Sequence, residues 1–256
     1  MAFEYVSVDD AIARRGLRMM VVGNVPSPWG EAAKGIFHLK RIDWAAVRLV
    51  YDSEPLKAWA GQLSGPVVVY DDDPPRSEWL QILTLAERLA AEPALLPGVP
   101  DERERAIALS EQFCGAHGLG WLRRLQLVHA GLQKTGGFSV RISGYLGSKY
   151  GYEAAAAESY GARVRELLGG FSAGLRAQRE NGRRYYLGNT LSAVDIYSAT
   201  FMALFWPLPP EVCQMHPASR AAFEWLDEET AAALDPVLLE HRDMMYERHL
   251  VLPLSL

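Results

Sequence analysis

A proline-rich, charged segment divides this chain into two parts whose hydrophobic patterns differ. The segment is EPALLPGVPDERER (92–105), in which three prolines precede a cluster of charged residues. Before it, short apolar runs alternate with stretches of helical spacing, whereas after it the spacing stays helical and no run alternates convincingly like a strand. The pattern predicts an α/β domain followed by an all-helical domain. The predicted boundaries are an N-terminal extension at 1–15, the α/β domain at 16–92, a linker at 93–103 and the helical domain at 104–256.

Three apolar runs in the first part have the composition of buried strands. They are GLRMMVVGN (16–24), DWAAVRLVYD (43–52) and GPVVVYDDD (65–73). Stretches of helical spacing separate the runs, and RSEWLQILTLAERLAA (76–91) follows the last of them. We therefore expect a βαβ unit, a short helix, a further strand and a closing helix, all packed on a small sheet.

The composition excludes several classes of function. A hydrophobic content of 49% supports a well-buried core, and a net charge of -5 with no run of Lys or Arg longer than two gives no basic surface for nucleic acid. The opening stretch has no apolar run resembling a signal peptide or a membrane span. Cys114 and Cys213 have no CxxC or metal spacing, and the six histidines have no HxxxH or HxH spacing. We expect a cytoplasmic protein with reduced, buried thiols, no metal site, and neither nucleic acid nor membrane as a partner.

Ser27 lies between two prolines in VPSPWGEAAK, immediately before the first helical stretch. Serine is a preferred N-cap, and Pro28 suits the first helical position, so a purely structural interpretation is available. The N-terminus of a helix also favours an anion through its dipole and free N–H groups. A thiolate there has a lowered pKa, and a serine hydroxyl directed at it adds a hydrogen bond. Both interpretations of Ser27 remain open from the sequence.

A second helix start lies in GNTLSAVDIYS, within the helical part. Ser192 and Asp195 have the spacing of a capping box, and Leu191 and Ile196 have that of a hydrophobic staple. The sequence contains no GxSxG nucleophile elbow that would make Ser192 and Asp195 part of a hydrolase triad. We therefore interpret both residues as structural.

The order of these motifs resembles the glutathione transferase superfamily, in particular its serine-type, bacterial-like members, with no subclass identified. PSPWGEAAK resembles the segment that opens the first helix in those classes, SGPVVVYDD the segment with a cis-proline, and DDPPRSEWLQ the start of the helix after the sheet. The resemblance implies a thioredoxin-like N-terminal domain and an all-helical glutathione-transferase C-terminal domain. It also implies glutathione as co-substrate, held as a thiolate at Ser27.

The resemblance assigns further residues to glutathione. Gly65 and Pro66 take the positions that bind the cysteinyl backbone, and Ser77 takes the position that receives the γ-glutamyl carboxylate. Arg76 stands where the family usually has an acidic residue for the glutamyl ammonium. Either Glu78 or an acidic residue of a partner subunit replaces that acid, or the site prefers a ligand with more negative charge. The complete predicted glutathione set is Gln62, Gly65, Pro66, Arg76 and Ser77.

The electrophile of such proteins lies between the first helix of the first domain and the first helices of the second. The resemblance therefore predicts an apolar pocket, although aromatic residues at helical spacing are more often core. Gly136–Gly151 is predicted to be an irregular loop over the cleft, bearing Tyr145 and Tyr150. Leu250–Leu256 is predicted to dock on the core, or alternatively to cover the cleft or a neighbouring subunit. The predicted pocket residues are Trp29, Phe113, His117, Trp121 and Tyr150.

The leading hypothesis from the sequence is a homodimeric glutathione transferase. Its thiolate would add to a small apolar electrophile or displace a group from it. One alternative is a non-catalytic binding protein of the same fold, for apolar ligands or a protein partner. Another is a glutathione-dependent lyase, dehalogenase, isomerase or peroxidase, because all of these use the same activated thiol.

Overall fold

The computed structural model describes residues 5–256, and its sheet is built from the first third of the chain. The strands are β1 (Tyr5–Val6), β2 (Leu17–Val21), β3 (Trp44–Arg48) and β4 (Val67–Tyr70). Their order in the sheet is β1-β3-β2-β4, in which β3 runs parallel to β1 and β2, and β4 runs antiparallel to β2. The helix between β2 and β3 makes this pair a βαβ unit, as the sequence predicted.

Strand β2 lies inside the sheet, and all five of its residues are buried. Its side chains alternate between two hydrophobic clusters: Met19 lies in the cluster with Phe37 and Leu83, whereas Met20 lies in the cluster with Leu56. A strand that is covered on both faces has a continuous apolar sequence, which is the pattern of LRMMV.

Four helices cover the two faces of the sheet, namely α1 (Val8–Ala13), α2 (Pro28–Leu39), α3 (Glu54–Ala60) and α4 (Trp79–Leu89). Helices α2 and α4 supply apolar residues to the cluster on one face, and α1 and α3 supply them to the other. This is the predicted thioredoxin-like arrangement. Because β1 pairs with β3, the predicted N-terminal extension contributes a strand and a helix to this domain.

The rest of the chain is helical, as predicted. The helices are α5 (Pro100–Cys114), α6 (Leu119–Gln133), α7 (Val140–Tyr150), α8 (Ala157–Glu180), α9 (Ala193–Phe201), α10 (Pro217–Glu224), α11 (Glu228–Ala233) and α12 (Pro236–Arg248), with short 3-10 turns at Ala154–Ala156 and Met202–Leu204. Helix α9 lies at the centre of this part: all nine of its residues are buried, and it packs against α2, α5 and α12.

The segment between the two parts is packed rather than extended into solvent. Leu95 and Leu96 are buried, and the Leu95 backbone accepts a hydrogen bond of 2.8 Å from the Ala193 N–H. Helix α5 already begins at Pro100, within the predicted linker. The segment that follows the first domain therefore packs on the helical domain and is hydrogen-bonded to the start of α9.

The predicted capping box is present at the start of α9. The Asp195 carboxylate accepts hydrogen bonds of 2.9 Å from both the backbone N–H and the hydroxyl of Ser192. It also accepts one of 3.0 Å from the Tyr186 N–H. Since Asp195 is fully buried, these donors supply the compensation that a buried carboxylate needs.

Over the range 5–256, no helix has both the length and the apolar character required to cross a membrane. The two cysteines are buried free thiols, as predicted.

Candidate functional site

A cleft of 410 Å³ lies between the sheet domain and the helical domain. The sheet domain contributes the first turn of α2, the loop before β4 and the start of α4. The helical domain contributes the end of α5, one side of α6 and the end of α7. Seven of the residues predicted to bind glutathione or the electrophile line this cleft. Five of them belong to the sheet domain, namely Trp29, Gln62, Gly65, Pro66 and Ser77. The other two, Trp121 and Tyr150, belong to the helical domain.

Ser27 is the N-cap of α2, and Pro28 is its first helical residue. The Ser27 carbonyl accepts a hydrogen bond of 2.8 Å from the Glu31 N–H. Its hydroxyl, however, does not cap the helix and has no hydrogen-bond partner among the described residues. Ser27 is half-buried, precedes Trp29 by two residues in the chain and is not among the residues that line the cleft. A hydroxyl without a partner at a helix N-terminus remains available to a ligand.

Trp29 forms part of the wall of the cleft, and contacts with the helical domain fix the position of its indole ring. The indole N–H donates a hydrogen bond of 2.9 Å to the Cys114 carbonyl. The ring also meets Phe201 edge to face, with centroids 4.9 Å apart. Its position therefore depends on contacts between the two domains.

The loop before β4 contains the predicted cis peptide bond between Gly65 and Pro66. A Cβ atom added to Gly65 would lie 3.3 Å from both the Met20 carbonyl oxygen and the Val22 nitrogen. The small residue therefore allows the loop to approach the end of β2 closely, which explains a glycine at this position.

Arg76 does not line the cleft. Its guanidinium forms an ion pair of 3.0 Å with Asp73, and its backbone pairs with Val68 in both directions at 2.8 Å. Hydrogen bonds from Arg88 and Arg76 lower the pKa of Asp73. The neighbours of Arg76 in sequence, Ser77 and Glu78, face the cleft instead. The residue that departs from the family pattern is thus engaged elsewhere, and an acidic residue lies beside Ser77.

A second acidic residue reaches the cleft from the helical domain. Glu111, near the end of α5, accepts a hydrogen bond of 2.8 Å from the indole N–H of Trp79. Glu78 and Glu111 both line the cleft together with Ser77. The two carboxylates bring negative charge to the cleft.

The cleft also carries Arg124, for which no role was predicted from the sequence. Its guanidinium carbon lies 4.1 Å from the ring centroid of Tyr150, 4.6 Å from that of Trp29 and 5.6 Å from that of Trp121. Burial lowers the pKa of Arg124. The only signal in the sequence was the pair of arginines in the otherwise largely apolar stretch LGWLRRLQLVHAGL.

The structure places two predicted pocket residues away from the cleft. Phe113 is fully buried and stacks on Phe171, with centroids 3.7 Å apart. His117 is exposed in the turn between α5 and α6. Neither residue lines the cleft, because the end of α5 presents Glu111 and Cys114 to it.

The prediction of an irregular loop at Gly136–Gly151 was wrong, because Val140–Tyr150 forms α7. The Lys149 ammonium donates a hydrogen bond of 2.8 Å to the Leu63 carbonyl, and the Tyr150 hydroxyl lies 3.5 Å from that of Ser64. The end of α7 is thereby tied to the loop that carries Gly65 and Pro66. Tyr145 is exposed, and its ring meets that of Tyr51 on the outer surface, with centroids 6.0 Å apart.

The C-terminal tail packs on the core, not on the cleft. The Leu254 N–H donates to the Val212 carbonyl, and the Lys34 ammonium donates to the Ser255 carbonyl, both at 2.8 Å. Leu250 lies over Gly35 of α2. Lys34 and Gly35 are on the side of α2 away from Trp29 and line a separate cavity of 330 Å³.

No protein-family model and no curated protein sequence matches this chain, but solved structures do resemble it. One is a glutathione transferase family member from Pseudomonas fluorescens pf-5 with two glutathione bound. It has a TM-score of 0.62 at 15% identity, and the match covers 94% of each chain. A glutathione S-transferase from Methylobacillus flagellatus KT with glutathione bound has a TM-score of 0.60 at 14% identity, covering 91% of this chain and 96% of that chain.

A third similar structure is maleyl pyruvate isomerase, a bacterial protein of the Zeta class. It has a TM-score of 0.51 at 19% identity, and the match covers 88% of this chain and 95% of that chain. These similarities extend over both domains. The chain has the glutathione transferase fold.

Proposed function

We propose that this chain is a glutathione-dependent enzyme that holds the tripeptide along the sheet-domain side of the cleft and activates its thiol at Ser27. The observation that supports this most is the convergence on one cleft of the Gly65–Pro66 loop, the start of α4 and an aromatic wall from the helical domain. The loop and the start of α4 form an edge that can bind a peptide, and the aromatic wall gives a partly apolar surface opposite that edge. The resemblance of the whole chain to solved glutathione transferases is in accord with it.

The peptide end of glutathione is bound by backbone and polar groups. The free backbone groups next to Pro66 bind the cysteinyl unit as an added strand would. Ser77 and the N–H groups at the start of α4 receive the γ-glutamyl carboxylate. Glu78 or Glu111 meets the glutamyl ammonium, since both carboxylates line the cleft together with Ser77.

The thiol is activated by electrostatics. The thiol proton leaves to solvent, and the thiolate is stabilised by the N-terminus of α2 and by a hydrogen bond from the Ser27 hydroxyl. The thiolate then attacks the electrophilic carbon of a second substrate that lies against Trp29. A carbon–sulfur bond forms. In a substitution, the leaving group departs with its bonding electrons; in an addition, the π bond of the electrophile breaks and the resulting anion takes a proton from solvent.

Calorimetric titration with reduced glutathione is the first experiment. We expect saturable binding at millimolar concentration or below. An absence of binding in that range would overturn the proposal and favour the non-catalytic alternative.

The thiolate absorbance of bound glutathione, followed against pH, tests the role of Ser27. We expect a thiol pKa well below that of free glutathione, and a smaller shift in Ser27→Ala. The matched control is Ser53→Ala, which removes the N-cap hydroxyl of α3 outside the cleft. An unchanged shift in Ser27→Ala would show that Ser27 is only structural.

The type of reaction requires a substrate screen, because conjugation, isomerisation, dehalogenation and peroxide reduction share the activated thiol. The homodimer and the cytoplasmic location remain predictions, of which the first is testable by sedimentation.

A further inference from the structure

The cleft contains one basic side chain that the proposed activation of glutathione does not use. Arg124 projects from α6 and lines the cleft together with Trp121 and Tyr150. Among residues 5–256, none supplies a carboxylate within 4.0 Å of its guanidinium, and none accepts a hydrogen bond from it. Its neighbour Arg123 differs, because its guanidinium is fully buried and donates to the carbonyls of Leu204 and Trp225.

The surroundings of Arg124 hold its charge in place without neutralising it. Faces of Trp29 and Tyr150 lie 4.6 and 4.1 Å from the guanidinium carbon. Such rings attract a cation and restrict its rotamers, but they accept few of its five N–H donors. A half-buried guanidinium with unused donors binds a planar anion, since two parallel N–H groups match a carboxylate.

The cleft is lined by charges of both signs. Glu78 and Glu111 line it with Ser77, and the Arg124 guanidinium carbon lies 4.6 Å from the ring centroid of Trp29. The proposed function places the glutathione thiol at the start of α2, the helix that carries Trp29. A second substrate that lies against Trp29 is then within reach of Arg124.

We propose that Arg124 binds an acidic group, a carboxylate, of the second substrate, while the aromatic wall of Trp29 and Trp121 packs against the apolar body of that substrate. This inference rests on the proposed function and narrows the class of second substrate. The electrophile is an apolar organic acid instead of a wholly apolar molecule. Arg124 is a specificity residue that contacts substrate and takes no part in activating the thiol.

Two glutathione conjugates of equal size provide a direct test. S-(para-carboxybenzyl)glutathione places a carboxylate beyond the sulfur, and S-(para-carbamoylbenzyl)glutathione places a neutral amide there. We expect the protein to bind the acid at least about tenfold more tightly, as is usual for a hydrogen bond between charged groups. Equal affinity for the two conjugates would overturn the inference.

The variant Arg124→Met keeps an unbranched apolar stem among the rings and removes the charge. We expect it to lose the preference for the acid while its affinity for reduced glutathione stays unchanged; Arg124→Lys should retain part of the preference. The control is Arg105→Met, which removes one charge from the exposed surface of α5 and should change neither affinity. If Arg124→Met weakens reduced glutathione as much as the acid conjugate, Arg124 holds the tripeptide and the inference is overturned.

A probe without glutathione separates this inference from the proposed function. Para-nitrobenzoate and para-nitrobenzamide both quench tryptophan fluorescence when they bind near Trp29 and Trp121. We expect stronger saturable quenching by the acid, and loss of the difference in Arg124→Met, whether or not the protein binds glutathione. Equal quenching by the two compounds would contradict an acid-binding role for Arg124.

Discussion

At the scale of single residues, Glu31 is a buried charge on the side of α2 opposite the cleft. Its carboxylate forms an ion pair of 2.7 Å with Lys34, whose ammonium also donates to the Ser255 carbonyl. Burial raises the pKa of Glu31, and the charge and hydrogen bond of Lys34 partly oppose that shift. The folded protein therefore holds this proton more tightly than the unfolded chain does.

The raised pKa makes stability depend on pH. As the pH rises from the usual glutamate range toward the native pKa, the unfolded state releases the Glu31 proton first, so the free energy of unfolding falls. We expect Glu31→Gln to remove this contribution and to flatten the decline in stability as the pH rises above the usual glutamate range, followed by urea unfolding. Glu54→Gln, on the exposed start of α3, should leave the pH dependence unchanged. Parallel curves for Glu31→Gln and the wild type would contradict this assignment.

Gly120 determines the position of Trp29 from across the domain boundary. A Cβ atom there would fall 2.4 Å from the Phe201 ring and 2.8 Å from the Trp29 ring. We expect Gly120→Ala to lose stability by about 1–3 kcal/mol through overpacking. Displacement of Trp29 should also weaken binding of the benzyl conjugates more than that of reduced glutathione.

The matched control for this substitution is Gly144→Ala in α7, where nothing lies within 4 Å of the added methyl group. Gly144→Ala should stabilise the helix by up to about 1 kcal/mol, as alanine does in an exposed helix. Thermal unfolding measures both variants. A Gly120→Ala protein as stable as Gly144→Ala would show that the rings move aside freely.

At the scale of elements, the start of α9 depends on Asp195. Its carboxylate accepts from both donors of Ser192 and from the Tyr186 N–H, and His241 lies 3.3 Å away. We expect Asp195→Ala to lower the free energy of unfolding by about 3 kcal/mol or more, because several buried donors lose their acceptor together. Ser192→Ala should lower it by about 1 kcal/mol, the usual effect of removing an N-cap side chain. Similar losses for the two variants in urea unfolding would contradict a central role for the carboxylate.

Helix α7 is tied to the Gly65–Pro66 loop by Lys149 and Tyr150. We expect Lys149→Met to loosen both segments, since the Leu63 carbonyl loses its donor while the apolar stem is kept. Amide exchange should become faster in 140–150 and 61–66, and KM for glutathione should rise while kcat changes little. Lys57→Met, exposed on α3, is the control. Unchanged exchange in 61–66 would show that the tie does not stabilise the loop.

At the scale of the whole molecule, the tail connects the end of the chain to the first domain. Residues 250–256 cover Gly35 and Lys34 of α2 and pair with Val212. We expect deletion of 250–256 to lower the Tm and to reduce the pH dependence due to Glu31, because water then reaches that carboxylate. Affinity for glutathione should be retained, as the tail does not line the cleft. An unchanged Tm, or loss of glutathione binding, would contradict this description.

The sequence was informative wherever the controlling interactions are local. The strand LRMMV, the helix start at Ser27–Pro28, the box at Ser192 and Asp195 and the change of pattern near Pro93 each depend on residues a few positions apart. The N-terminal strand was not identified, because Tyr5–Val6 is too short to show a period and is defined by its pairing with β3. Helix α7 was missed because its glycines and polar residues resemble a loop, although the helix is held by Lys149 and Tyr150.

By itself, the sequence predicted the division into an α/β part and a helical part and the helix start at Ser27–Pro28, since hydrophobic period and capping are local properties. The assignment of Pro66 and Ser77 came from the resemblance to a known family. Only the tertiary structure decided which charged and aromatic side chains face the cleft. Phe113 packs in the core against Phe171, and Arg124 lies among three rings that come from α2, α6 and α7. Those outcomes depend on contacts between segments that are distant in the chain, and no local pattern encodes them.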